Sequence, residues 1–178
     1  MKILILLITL IAALTAKAQN CKELYQQHLK TDMLLSYKEF DQTMGKGFRS
    51  MASNLCDKEA ADLIEKYIEV NNAKQSSLRW HIAQLRAHTG DYSVAVKWAK
   101  TVLQDKEDFS KQALRWNDYV LATIAFLEHD KKSLIAHRNN VAKGKEDHFG
   151  NALNLKYLDS LIKYFDKSYK FASNNVGK

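Results

Sequence analysis

Apolar residues recur at intervals of three and four along most of this chain. Between residues 57 and 71 the positions i, i+3, i+4 and i+7 are all apolar. This spacing places the side chains on one face of an α-helix. The same pattern returns further along, and its stripes are Ala60, Leu63, Ile64 and Tyr67; Leu78, Ile82 and Leu85; Ala95, Trp98, Ala99 and Val102; Leu114, Leu121 and Ala125; and Leu158, Leu161, Ile162, Phe165 and Tyr169.

The residues between these stripes favour an all-α fold. The chain has no proline and only six glycines, most of them where a helix is predicted to stop. We predict a first helix over residues 21–35, an extended linker over residues 37–43, a third hairpin from about Ser110, and one last helix that includes Tyr169. Phe40 is predicted to anchor the linker in the core, as is Phe48.

A repeat organises these helices. Leu78-Arg79-Trp80 returns as Leu114-Arg115-Trp116, 36 residues later, and each copy is predicted to open a helix. An offset of 35 also aligns residues 60–68 with residues 95–103 in size and hydrophobicity. Periods in the thirties are typical of stacked helical hairpins. We therefore expect a right-handed stack of hairpins with an N-terminal helix and a C-terminal capping helix.

The first 18 residues are predicted to be a signal peptide. Residues 3–14 form an apolar run interrupted only by Thr9, and Ala16-Lys17-Ala18 fits the small-x-small rule of signal peptidases. The alternative is a permanent anchor, but the run is shorter than the roughly 20 apolar residues of a spanning helix. We expect an exported protein, periplasmic or extracellular, with no membrane span after cleavage.

Removal of 18 of the 178 residues leaves 160, enough for one domain with a substantial core. Its predicted parts are an N-terminal helix and linker over residues 19–45, a helical repeat domain over residues 46–172, and a flexible tail over residues 173–178.

The chain contains two cysteines, Cys21 and Cys56. In an oxidising compartment they can form a disulfide, and closing a loop of about 35 residues stabilises a fold by roughly 3–4 kcal/mol. The alternative is two buried free thiols. Lipidation of Cys21 is disfavoured, because Asn20 stands where a lipoprotein signal needs a small residue.

The charge of the chain is positive but dispersed. Lys and Arg number 27 against 20 Asp and Glu, a net charge of +7 that falls to +5 when Lys2 and Lys17 leave with the signal peptide. Because no basic cluster stands out, the pattern does not favour nucleic acid as a partner. Weak attraction to an acidic partner or to an anionic envelope surface remains compatible with it.

The stretch from Trp80 to Leu103 resembles a tetratricopeptide repeat. Gly90-Asp91-Tyr92 stands at the turn, Ala95 follows the tyrosine by three residues, and Ala83 precedes Gly90 by seven. The early tryptophan is displaced by one position, and the proline that ends a repeat is absent. The resemblance implies a TPR-like α-solenoid of the exported bacterial type, in which two small residues let paired helices approach closely.

A polar ridge follows the first helix of the second hairpin at i, i+4, i+7 and i+11. In tetratricopeptide-like folds this helix faces a concave groove that holds extended peptides, so the resemblance implies a binding face for a peptide or partner protein. The alternatives are a solvated face and, for Trp80, a place in the core. The predicted partner-binding residues are the ridge and its two neighbours: Ser77, His81, Gln84 and His88, with Arg79 and Trp80.

No motif predicts catalysis or a cofactor. The signatures H-E-x-x-H, G-x-S-x-G and G-x-x-x-x-G-K-[ST] are missing. His81 and His88 lie two helical turns apart, about 10 Å, too far to share a metal ion. We predict a non-enzymatic binding module, and two alternatives stay open: a structural subunit of an envelope assembly, or an enzyme or metal carrier on a helical scaffold. None of these patterns specifies an oligomeric state.

Overall fold

The computed structural model describes residues 21–178, and the regular structure of that part of the chain is all helical. The all-α prediction is confirmed. The chain divides into two compact units, one that runs through Lys74 and one from Gln75 to Lys178. The predicted signal peptide, residues 1–18, lies outside the described residues, and the predicted repeat domain, residues 46–172, spans the division.

The first unit contains three α-helices and two short irregular helices. Residues 37–43, predicted as an extended linker, are largely helical, so that prediction is wrong. Phe40 is fully buried and stacks on Tyr67 with the ring centroids 3.8 Å apart; this tertiary contact leaves no local period in the sequence. The elements in order are α1 over residues 21–31, a 3-10 helix over Asp32–Leu34, a π-helix over Lys38–Gln42, α2 over Gly47–Ser53 and α3 over Asp57–Asn71.

Two kinds of link tie the start of the first unit to α3. A disulfide joins Cys21 in α1 to Cys56, which directly precedes α3. Of the two alternatives for these cysteines, the structure therefore contains the bonded pair. The Tyr67 hydroxyl also donates a hydrogen bond of 2.8 Å to the carbonyl oxygen of Leu35.

The second unit contains six helices. Helix α4 packs on α5, α6 packs on α7, and α8 packs on both α6 and α7. The last helix, α9, packs on α8 and also returns to α4. Their bounds are Ser76–His88 for α4, Tyr92–Lys100 for α5, Trp116–Leu127 for α6, Lys131–Lys143 for α7, Phe149–Lys163 for α8 and Tyr169–Ser173 for α9.

The third hairpin begins later than predicted, at Trp116 instead of near Ser110. The Glu107 carboxylate accepts the backbone N–H of Asn117 at 2.9 Å. The Asn117 side chain exchanges two hydrogen bonds of 2.8 Å with the backbone of Gln104. These bonds hold the chain before α6 as a folded loop.

The last helix is also shorter than predicted, because α8 ends at Lys163 and Tyr169 begins a separate helix. The Tyr157 hydroxyl donates to the Tyr169 hydroxyl at 2.6 Å, and the Ser160 hydroxyl donates to the carbonyl oxygen of Ala172 at 2.8 Å. Helix α9 therefore lies beside α8 instead of extending it. Ser173, assigned by prediction to the tail, is the last residue of α9.

All three hairpin turns share one backbone geometry. Leu55, Gly90 and His129 have φ angles of +61°, +83° and +58°. In each turn the N–H of that residue donates to the carbonyl three residues earlier, and the next N–H donates to the carbonyl five residues before it. This is the Schellman pattern, in which a left-handed residue ends a helix. The hairpins therefore repeat with spacings of 35 and then 39 residues, the separations of these three positions.

The repeated tripeptide does not mark this structural period. Trp80 lies in the second turn of α4, whereas Trp116 is the first residue of α6. The prediction that each copy opens a helix is therefore wrong. Aligning the hairpins at their turns pairs Trp80 with Tyr119, 39 residues later, and both side chains are 6% exposed.

Replacing Leu55 with glycine should stabilise the protein by about 1 kcal/mol, since a left-handed backbone costs a non-glycine residue about 1–2 kcal/mol. Little packing is lost, because Leu55 is 61% exposed. Urea unfolding followed by far-UV circular dichroism measures the change. Val70→Gly, at an exposed position inside α3, should instead destabilise by about 1 kcal/mol. Equal destabilisation by both substitutions would contradict the expectation for Leu55.

Candidate binding groove

An open groove of about 580 Å³ lies in the second unit, where the start of α4, the residues after α5 and the start of α6 meet. Its volume falls within the range of sites that take small ligands or peptide side chains. Four of the six predicted partner-binding residues line it. The lining residues are Ser76, Ser77, Arg79, Trp80, His81, Thr101, Val102, Leu103, Gln104, Leu114 and Trp116.

The floor of the groove is apolar and held in place. Trp80 is 6% exposed and Val102 is 3% exposed, and both belong to the core of the second unit. The Trp80 and Trp116 rings meet edge to face, with centroids 5.5 Å apart. The Trp116 indole N–H donates to the carbonyl oxygen of Val102 at 2.8 Å. Trp80 is thus a core residue, as one of the two sequence alternatives held, and it also borders the groove.

Buried Asn151 fixes the wall that contains Leu114. Its side-chain oxygen accepts the N–H of Arg115 at 2.9 Å, and its amide donates to the carbonyl oxygens of Ala113 and Gly144 at 2.8 and 2.7 Å. On the neighbouring wall, the Asn117 side chain holds Gln104. Because hydrogen bonds fix both walls, the groove is preformed, which lowers the entropic cost of binding.

The other two predicted residues, Gln84 and His88, lie further along α4 and contact α9 instead of the groove. His88 Nε2 is 3.1 Å from the Ser173 hydroxyl, and its ring centroid is 5.6 Å from that of Tyr169. Gln84 makes a side-chain hydrogen bond with Tyr169. The structure therefore divides the polar ridge: its first part lines an open groove, and its second part is covered by the protein's own C-terminal helix.

Tyr169 belongs to a buried tyrosine cluster beside Gln84 and His88. Burial raises the pKa of Tyr157 to about 12 and raises the pKa values of Tyr119 and Tyr169 further above their usual range. The three hydroxyls are therefore protonated at physiological pH. The Tyr157 hydroxyl keeps its hydrogen bond to Tyr169, and Tyr92 accepts the backbone N–H of Tyr169 at 3.0 Å.

Sequence reasoning missed Val102, Leu103, Leu114 and Trp116 as groove residues. A signal for two of them was present in the repeated tripeptide. Its two copies approach each other at the groove, because Arg79 and Trp80 from the first copy line it together with Leu114 and Trp116 from the second. The repetition therefore marks a shared place in the fold instead of a period.

Outside the groove, one polar cluster joins α6 to α7. Asp118 accepts hydrogen bonds from His137 Nδ1 at 2.8 Å and from the Asn140 amide at 3.0 Å. Within residues 21–178, no group of three or more His, Cys, Asp and Glu side chains is placed to hold a metal ion. In the same part of the chain, no helix has both the length and the apolar character to cross a bilayer.

Comparisons with known proteins find no matching family model, no matching curated protein and no matching solved structure.

Proposed function

We propose that this protein is an exported, non-enzymatic binding module that holds a peptide or a segment of a partner protein in the groove between α4 and α6. The observation that carries the proposal is a preformed groove with an apolar floor and a polar rim. Peptide sites commonly combine these features, since apolar contacts supply affinity and a few polar groups fix orientation. The side chains named for it are Ser77, Arg79, Trp80 and His81, with Leu114 and Trp116 added by the structure.

Two further observations support the wider proposal. The shared turn geometry of three hairpins favours a TPR-like stack, a class of fold that mostly binds other proteins. The disulfide between Cys21 and Cys56 favours a periplasmic or extracellular location, because disulfides persist in oxidising compartments.

A test of the proposed function fills the groove from its rim. Random 12-residue peptides displayed on phage are selected against the purified protein, and the Kd of the best peptide is measured. Ser76 and Thr101 are exposed rim residues, so the double substitution Ser76→Tyr/Thr101→Tyr should occupy the groove and raise the Kd at least tenfold, about 1.4 kcal/mol.

Ser93→Tyr is the matched control, because Ser93 is exposed on α5 and does not line the groove. It should change the Kd by less than about twofold, and urea unfolding checks that each variant folds. Equal binding by the blocked protein and by the control would reject the groove as the binding site. Failure to select any peptide would reject the proposed function.

One observation favours a second function, that of a structural subunit of an envelope assembly. Phe149 and Leu153 are 77% and 48% exposed, and their spacing of four residues places them on one face of α8. If this face joins an assembly, Phe149→Ser/Leu153→Ser should release the protein from envelope complexes in size-exclusion chromatography, whereas the groove-filling variant should remain in them.

A further inference from the structure

The groove has a distinct charge. Arg79 lines it together with His81, and none of its eleven lining residues, all in the described part of the chain, is acidic. The nearby Glu107 carboxylate is engaged by the N–H of Asn117. A ligand in the groove therefore meets an arginine beside an apolar floor and no carboxylate among the lining side chains.

The surrounding unit strengthens this charge. Residues 75–178 contain 17 Lys and Arg against 11 Asp and Glu, a net charge of +6. Residues 21–74 contain 8 Lys and Arg against 9 Asp and Glu, a net charge of −1. The positive charge of the described chain therefore lies wholly in the unit that holds the groove, where it raises the encounter rate with an anionic partner.

We infer that the groove binds an acidic peptide segment in which a large apolar side chain stands beside one or more carboxylates. The apolar side chain fits against Trp80, Val102 and Trp116, and a carboxylate pairs with the Arg79 guanidinium. Arginine suits this contact, because its planar donors match a carboxylate in two parallel hydrogen bonds. This inference rests on the proposed function and names the class of ligand for the same groove.

Nucleic acid is also anionic, but it fits the groove less well. Strand binding needs exposed aromatic faces for stacking and a series of cations along the backbone. Trp80 is 6% exposed and its ring meets Trp116 edge to face, so it presents no open face to a base. Arg79 is the only Lys or Arg among the eleven lining residues.

The experiment repeats the phage selection on the wild type and on Arg79→Glu. The wild type should enrich peptides that place Asp or Glu within a few residues of Trp, Phe or Leu, and Arg79→Glu should not. The Kd of the best wild-type peptide should rise about tenfold in Arg79→Glu and severalfold in the milder Arg79→Gln, as expected for a lost charge-assisted pair. Raising the salt concentration from 50 to 300 mM should weaken wild-type binding severalfold.

Lys97→Glu is the matched control, since Lys97 is exposed on α5, does not line the groove and changes the net charge by the same amount. It should alter the Kd by no more than about twofold. Fluorescence of Trp80 and Trp116 gives an independent readout, because both line the groove, and it should change when the acidic peptide binds.

Several results would overturn the inference. Enriched peptides that are neutral or basic, or acidic peptides that bind Arg79→Glu as well as Lys97→Glu, would exclude this ligand class. If Ser76→Tyr/Thr101→Tyr still blocked those peptides, the proposed function would stand. Tighter binding of a 12-nucleotide oligothymidine than of any peptide would also exclude the class. Selection of no peptide at all would reject both the inference and the proposed function.

Discussion

Replacing Tyr169 with alanine should lower the free energy of unfolding of residues 75–178 by about 4 kcal/mol, the size of loss typical for a large buried side chain. Tyr169 is fully buried. Its ring lies 6.0 Å from that of Phe126 and 5.6 Å from that of His88, measured between centroids. The substitution therefore leaves a cavity where α9 meets α4, α6 and α8, and it also leaves the buried hydroxyl of Tyr157 without its partner.

Urea unfolding followed by tryptophan fluorescence measures this effect. Trp80, Trp98 and Trp116 are the only tryptophans in the chain, and all three belong to the second unit. Phe171→Ala is the matched control, because it removes another aromatic ring from α9 at a position that is 45% exposed. It should cost about 1 kcal/mol or less. Equal losses for the two variants would show that α9 does not belong to the core of this unit.

Tyr169→Phe separates the ring from the hydroxyl. The ring packing is retained, and only the hydrogen bond with Tyr157 is lost, so the cost should be about 1–2 kcal/mol. A loss as large as that of the alanine variant would assign the stability to the hydroxyl network instead of to packing.

The second large effect concerns the disulfide. Replacing Cys21 and Cys56 together with serine should destabilise the first unit by about 4 kcal/mol in the chain-entropy model, because the bond closes a loop across a separation of 35 residues. Hydrogen exchange of the amides in α1 and α3 measures the loss for this unit, since the tryptophan signal reports only on the second unit.

Reduction of the wild-type protein provides the control. Reduced wild type should lose as much protection as the double serine variant, and the reducing agent should have no further effect on that variant. If the double variant retained wild-type protection in α1, other contacts would suffice to hold the N-terminal helix. The hydrogen bond from Tyr67 to Leu35 would then be the first candidate.

Apolar periodicity predicted the helices whose stability comes from burying one face. The stripe through Ala60, Leu63, Ile64 and Tyr67 lies in α3, and these four side chains are buried. The polar turns at Gly90 and at residues 128–132 were also predictable, because they interrupt the stripes where the structure reverses the chain.

Periodicity failed where a distant contact decides the backbone. Tyr169 keeps phase with Leu158 and Leu161, and a broken helix that preserves phase cannot be told from a continuous one by spacing alone. The start of α6 depends on the hydrogen bonds of Asn117, which pair it with residues ten and thirteen positions away. Phe40 was correctly predicted to be buried, but its π-helical backbone follows from stacking on Tyr67.

The groove was only half predictable for the same reason. Ser77, Arg79, Trp80 and His81 share the start of one helix, so a helical pattern could group them. The opposite wall comes from Leu103, Leu114 and Trp116, whose approach to α4 depends on how two hairpins pack. The covering of Gln84 and His88 by α9 likewise requires a contact between distant parts of the chain.

The return of α9 to α4 also sets an order of events during biosynthesis. The contact between His88 and Ser173 joins residues 85 positions apart, and that between Tyr92 and Tyr169 joins residues 77 positions apart. A chain that emerges from the ribosome or from a translocation channel with its N-terminus first cannot bury the tyrosine cluster until residues 169–173 have followed. An interrupted chain exposes that aromatic surface, which is the kind of surface that quality-control proteases and chaperones act on. The last helix thus makes completion of the chain a condition for escaping degradation.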